Sequence, residues 1–142
     1  MSKISELVKK SKEADSEDKA EVNFGFVPNF KAQEITAKTG IIVKGALRTL
    51  SSYAVNHTIK RHGNDKEEKE RGQISVTDKD FDLIPTIINE SDDIIKGKDG
   101  SRGKQAVLFY KKINGKDYFV VTSIVKNKEG IKMDFDTMYI KK

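Results

Sequence analysis

Toward its C-terminal end the sequence runs QAVLFYKKINGKDYFVVTSIVK, and the Asn114-Gly115 pair at its middle limits the fold more than any other feature. The type I′ two-residue hairpin turn needs positive φ at both central positions, and Asn-Gly meets that need at low steric cost. β-branched and aromatic residues flank the pair on both sides, so the segment predicts an antiparallel hairpin. A second turn at NKEG and the closing stretch IKMDFDTMYIKK extend the hairpin into a meander. DIIKG reads as a short strand before it, joined by the glycine-rich basic loop KDGSRG. Simple alternation puts Phe135, Thr137 and Tyr139 on one sheet face, and Met138 and Ile140 on the other. If the second face is the core, Thr137 and Tyr139 are displayed together. Alternation also points Lys111 and Lys112 to opposite faces.

The first half reads differently. AEVNFGFV alternates like a strand and stops at Pro28. NFKAQEITAKTG has helical spacing and ends on Gly40, a residue suited to the position past a helix end. IIVKGALRTL predicts a short strand broken or bulged at Gly45. Ser51 or Ser52 can cap a helix through YAVNHTIKRH, which stops at Gly63. NDKEEKERG is nearly all charged and predicts a mobile, solvated connector. In VTDKDFDLIPTIINESD, Thr77 and Asp80 have capping-box spacing. Pro85 lacks an amide hydrogen, so two short helical pieces are expected rather than one long helix. Apart from two early strands, helices precede strands, and the fold class is α+β.

At 142 residues the chain suits a single domain able to bury a core without metals or disulfides. Residues 1–20 are expected to form a charged helix or linker, and residues 21–142 the domain. The absence of cysteine excludes disulfides and thiolate metal clusters. No apolar run approaches the roughly 18 residues needed to span a bilayer. The N-terminus has no apolar core of the kind a secretory signal needs. The expectation is a protein without a membrane partner, cytoplasmic at its site of action. The net charge is +5, and Ile94 to Asp117 alone holds seven Lys/Arg against two Asp. Such a concentration suits a polyanion such as nucleic acid, and equally suits a solvated lysine-rich face.

Both histidines fall in NHTIKRHG, Asn56 to Gly63. On a helix at about 100° per residue, they lie roughly 140° apart. His57 shares a face with Lys60 and Arg61. His62 joins the apolar stripe of Val55 and Ile59 at the last helical position. Imidazole is the side chain best placed to exchange protons near neutral pH. His57 also fits an ordinary solvated residue, and His62 fits one packed at the core edge or against the helix C-terminal carbonyls. A zinc site has no support, because there is neither an HExxH pattern nor a cysteine pair.

The stretch TGIIVKGALRTLSSYAVNHTIKRHG, then VTDKDFDLIPTIINESDDI, LFYKKINGKDYFVV and DTMYIKK together resemble the phage-associated branch of the barnase–EndoU–colicin–RelE-like (BECR) nucleases. The resemblance spans roughly Pro28 to Lys142. It rests on H-x3-R-H-G at His57, Arg61, His62 and Gly63, on D-x3-I-P from Asp80 to Pro85, and on Thr137 in the last strand. It implies N-terminal helices packed on a C-terminal four-stranded antiparallel sheet, with a site on the sheet face. It also implies RNA cleavage without metal or other cofactor, in proteins often attached to phage head or toxin proteins.

Metal-independent RNA cleavage uses the ribose 2′-hydroxyl as nucleophile and needs a proton acceptor, a proton donor and cations near the phosphate. His57 is the preferred acid–base group, His62 the second, and Thr137 a hydroxyl that orients the phosphate or the 2′-oxygen. Lys60, Arg61 and Lys111 are candidate phosphate contacts. Tyr139 is a further hydroxyl, and Tyr110 or Tyr118 a surface for base stacking. Each has a duller reading, since lysines solvate helix faces and aromatics are common in strands. Three readings follow: an endoribonuclease, toxin-like and carried by a phage or mobile element, acting on a structured RNA such as tRNA; a nucleic-acid-binding module without turnover; or a structural domain of a virion or conjugation protein. An immunity protein or a phage structural protein is the expected protein partner. Delivery with a phage particle, or as part of a larger polypeptide, accords with the first reading.

Overall fold

The structure is a computed structural model that describes residues 3–13, 20–98 and 104–141. In chain order the elements are α1 (Lys3–Glu13), β1 (Glu21–Phe26), α2 (Asn29–Thr39), β2 (Leu47–Ser51), α3 (Ser52–His62), α4 (Asp65–Glu70) and β3 (Gln73–Ile74). A 3-10 turn (Asp78–Leu83) leads into α5 (Ile84–Asn89), followed by β4 (Asp93–Lys96), β5 (Gln105–Ile113), β6 (Lys116–Asn127) and β7 (Gly130–Lys141). The fold is α+β. Among the described residues, no helix is long and apolar enough to cross a membrane.

The last four strands form the antiparallel meander β4-β5-β6-β7, turned at Asn114 (φ 51°) and Gly115 (φ 78°). They do not make the whole sheet. The expected four-stranded antiparallel sheet is instead seven-stranded and mixed, in the order β1-β2-β7-β6-β5-β4, with β3 also on β7. The added strands come from the helical half, and β2 pairs with β7 in parallel, Leu47 opposite Lys132. The strands of the first half therefore extend the C-terminal meander from its β7 edge. The short strand expected within IIVKGALRTL begins only at Leu47, past Gly45, because Ile41, Val43 and Ala46 are buried in a loop that turns at Lys44 and Gly45.

One sheet face is the core. Val107, Phe109, Tyr118, Val120, Phe135, Met138 and Ile140 are buried there with Phe81, Ile84, Ile87 and Ile88 from the helical segment. The Phe81 and Phe135 rings meet edge to face at 6.1 Å. The capping box at Thr77 and Asp80 and the early proline of α5 set that segment's path. Ile4, Leu7 and Val8 of α1 belong to the same core.

Plain alternation fails in β7, and the reason is a bulge. Val121 pairs with Thr137 but Thr122 with Phe135, which leaves Asp136 as an extra residue. One inserted residue exchanges the faces of everything beyond it. Phe135 therefore does not share a face with Thr137 and Tyr139. It lies in the core with Met133, while Thr137 and Tyr139 lie on the half-exposed face.

The charged stretch after Gly63 is not a solvated connector. Asn64 caps α4 through its side chain, and Glu68 is fully buried. Arg71 Nη1 donates to Glu68 Oε1 at 2.7 Å and to the Arg61 carbonyl at 2.8 Å. His62 Nδ1 lies 3.3 Å from Glu68 Oε2. A carboxylate only accepts, so this contact places the proton on Nδ1. A buried carboxylate needs such donors, and removing one leaves an unmet acceptor. Arg71→Ala is expected to cost about 1–2 kcal/mol, toward the lower part of the range because Arg71 is half-exposed. Chemical denaturation of the two proteins measures it.

Candidate active site

β7 pairs with β2 through residues 132–134 and with β3 through residues 140–141. Between them it has no strand partner on that side among the described residues, and α3 packs along it there. Ser51 caps α3 by accepting from the Ala54 amide at 3.1 Å. Thr58 Oγ1 lies 3.5 Å from Thr137 Oγ1. Between the start of α3 and the bulged strand opens a cleft of about 670 Å³.

His57 and Thr137 both line this cleft. Ser51, Tyr53, Lys104, Ser123, Asp134 and Asp136 line it as well. The Tyr53 ring stacks on the His57 imidazole, 5.9 Å between centroids and 12° between planes, as residues one helical turn apart can. Ser123 donates a short hydrogen bond to Asp136. Thr49 Oγ1 donates to Asp134 Oδ1 at 2.8 Å. Burial raises the Asp134 pKa, with Asp136 and Glu21 adding repulsion, while the Thr49 hydrogen bond and Lys104 oppose the rise.

Asp134, Asp136, Ser123, Tyr53 and Lys104 were not among the residues expected from sequence. The D-F-D-T run was the available signal, but the bulge hides it. Without the bulge, Asp134 and Asp136 alternate with Thr137 instead of opening on the same cleft.

The other expected residues divide. Lys60 and Arg61 are exposed on α3. His62 does not line the cleft, and its ring tilts against Tyr139 at 5.9 Å. Tyr139 stacks on Phe119 at 4.8 Å, and Phe119 meets Tyr110 at 5.1 Å, so a row of rings crosses the half-exposed sheet face. Lys141 Nζ sits 5.5 Å from the Phe119 centroid. Tyr110 donates to Asp117 at 2.6 Å, which raises its pKa, and burial raises that of Tyr139. Lys111 stands apart. It pairs across the ladder with Tyr118, on the opposite face from Thr137, and donates to the Glu90 carbonyl at 3.0 Å. Tyr118 is buried with its hydroxyl 3.2 Å from Asp80, its pKa pushed up to about 12 chiefly by burial, so it offers no stacking surface.

The raised Asp134 pKa makes a stability prediction. A carboxyl whose folded pKa lies above the unfolded value near 3.8 binds its proton more readily when folded. Its favourable contribution is complete below the unfolded value and is lost as pH rises through the folded one. Near neutrality the charged, desolvated carboxylate weighs against folding. Asp134→Asn is expected to be the more stable protein at neutral pH, and to lose its advantage on acidification to about pH 4. Denaturation midpoints across that range test the sign.

An α+β domain with an imidazole, two carboxylates and hydroxyls around one cleft has the parts of a hydrolase that works by proton transfer. The family comparison makes the class specific. A model of the phage-Barnase-EndoU-ColicinE5/D-RelE like nuclease3 family matches residues 25–142, and the chain belongs to that nuclease family. No curated protein and no solved structure matches it.

Proposed function

We propose that this nuclease is a metal-independent endoribonuclease that cleaves by attack of the ribose 2′-hydroxyl on the adjacent phosphorus. The observation that carries the reading is that His57 and Thr137 line one cleft with Ser123, Asp134 and Asp136. His57 accepts the 2′-hydroxyl proton. The 2′-oxygen bonds to phosphorus as the 5′-oxygen leaves, giving a 2′,3′-cyclic phosphate and a 5′-hydroxyl end. In the fraction of molecules whose Asp134 is protonated, a fraction that burial enlarges, its carboxyl supplies the proton taken by the 5′-oxygen. Thr137 presents its hydroxyl to the phosphate oxygens, while Ser123 holds the Asp136 carboxylate beside it. Lys104 at the cleft, and Lys60 and Arg61 on the exposed side of α3, offset phosphate charge. The Tyr110–Phe119–Tyr139 row, with Lys141 over it, offers surface to the strand leaving the cleft. His62, held by Glu68, anchors the end of that row.

The family's phage association and its colicin and RelE relatives favour a toxin-like role on a phage or mobile element, with a structured RNA such as tRNA as substrate. An immunity protein is the matching partner. The test is incubation of the purified protein with total tRNA in excess EDTA, beside His57→Ala and His62→Ala. Cleavage that survives the chelator, yields cyclic phosphate ends and requires His57 supports the reading. Cleavage abolished by EDTA and restored by a divalent ion removes it. Tight binding with intact RNA replaces it with a binding module.

A further inference from the structure

Tyr53 has no job in the fold that its surroundings explain. It is 71% exposed, more than Phe26, Phe30, Ile42 or Ile95, the other large apolar side chains the surface displays. Among these five it is the one that lines the cleft. One face of its ring is held nearly parallel to the His57 imidazole, so the ring's direction is set by the proposed proton acceptor itself. Phe119 and Tyr139 differ from it. Their rings stack on each other at 4.8 Å, and the Lys141 ammonium lies near both, so their faces are already engaged.

We infer that the open face of Tyr53 is a nucleobase-stacking subsite, which seats the base beside the scissile phosphate against the rim of the cleft. The inference rests on the ribonuclease reading and adds the group that holds the substrate. A base on that face extends the imidazole–phenol stack by one layer and brings its ribose next to His57. Every base has a π-face, so stacking tolerates sequence. A base inside a helix has both faces covered by its stacked neighbours, so the subsite selects an unpaired nucleotide turned out of the stack.

A fluorescently labelled single-stranded 2′-O-methyl RNA oligonucleotide gives the test, because its blocked 2′-oxygen prevents cleavage by the proposed route. Tyr53→Ala is expected to weaken binding about tenfold, as loss of one base–aromatic stack does, and Tyr53→Phe to bind as the wild type. Single abasic positions are then moved along the oligonucleotide. One of them should cost the wild type about tenfold and cost Tyr53→Ala almost nothing more. The same sequence as a duplex should bind more weakly. Wild-type affinity in Tyr53→Ala, abasic losses undiminished in that variant, or equal binding of duplex overturns the inference. Failure of the ribonuclease reading is separate: unmodified RNA stays whole while the binding series holds.

Discussion

On the proposed mechanism, His57→Ala is expected to lower the rate of RNA cleavage by about 10²–10⁴-fold, the usual worth of a positioned acid–base group. The loss appears in kcat and kcat/KM together, because proton transfer is made only in the transition state. His57 lies on the half-buried side of α3, where alanine is a better helix former, so the variant is expected to keep its fold. His62→Ala gives a different result. It removes one of the two partners of a buried carboxylate, so it is expected to lower the denaturation midpoint more than the chemical step. Rapid-quench cleavage assays with circular dichroism on both variants separate the two histidines. Equal cleavage loss in both, with both folds intact, would return His62 to the chemistry and displace the cleft as the sole reacting centre.

Phe135→Ala is expected to destabilise the protein by about 3–5 kcal/mol, the range for emptying a buried aromatic site. That is a large share of the roughly 5–15 kcal/mol that holds a domain folded. Phe135 is 1% exposed and packs edge to face on Phe81. Thr137→Val is the counterpart. It keeps the volume, stays β-branched in a strand, and sits on the half-exposed face, so its cost is expected to fall below about 1 kcal/mol. Urea denaturation of both variants reads the bulge directly. If β7 were regular, the two residues would share a face and the contrast would collapse.

Local chemistry was legible. The Asn-Gly turn, the Ser51 cap, the Thr77–Asp80 capping box and the proline at the start of α5 each depend on residues within one turn of one another, and each appears where the sequence places it. Periodicity gives His57 a helix face and Thr137 a strand face, but Thr137 is singled out by the family resemblance, and only the tertiary structure shows that both line one cleft. The charged run after Gly63 reads as solvated because composition does not show which way a charged side chain turns. Glu68 turns inward, where Arg71, three residues on, and His62, six residues before, meet its carboxylate.

Sequence by itself determined the local repertoire: which segments turn, which coil into helices, which extend, and the supply of imidazole, carboxylate and hydroxyl groups. Tertiary structure decided the rest. It set β2 in parallel beside β7, folded α3 along the side of that strand between β2 and β3, and inserted Asp136 as a bulge. Those choices turned Phe135 inward and brought Asp134, Asp136, Thr137 and His57 around one cleft. The physical reason is range. Turns and caps are settled by bonds between neighbours, whereas strand register is settled by which pairing buries the most apolar surface across the whole sheet.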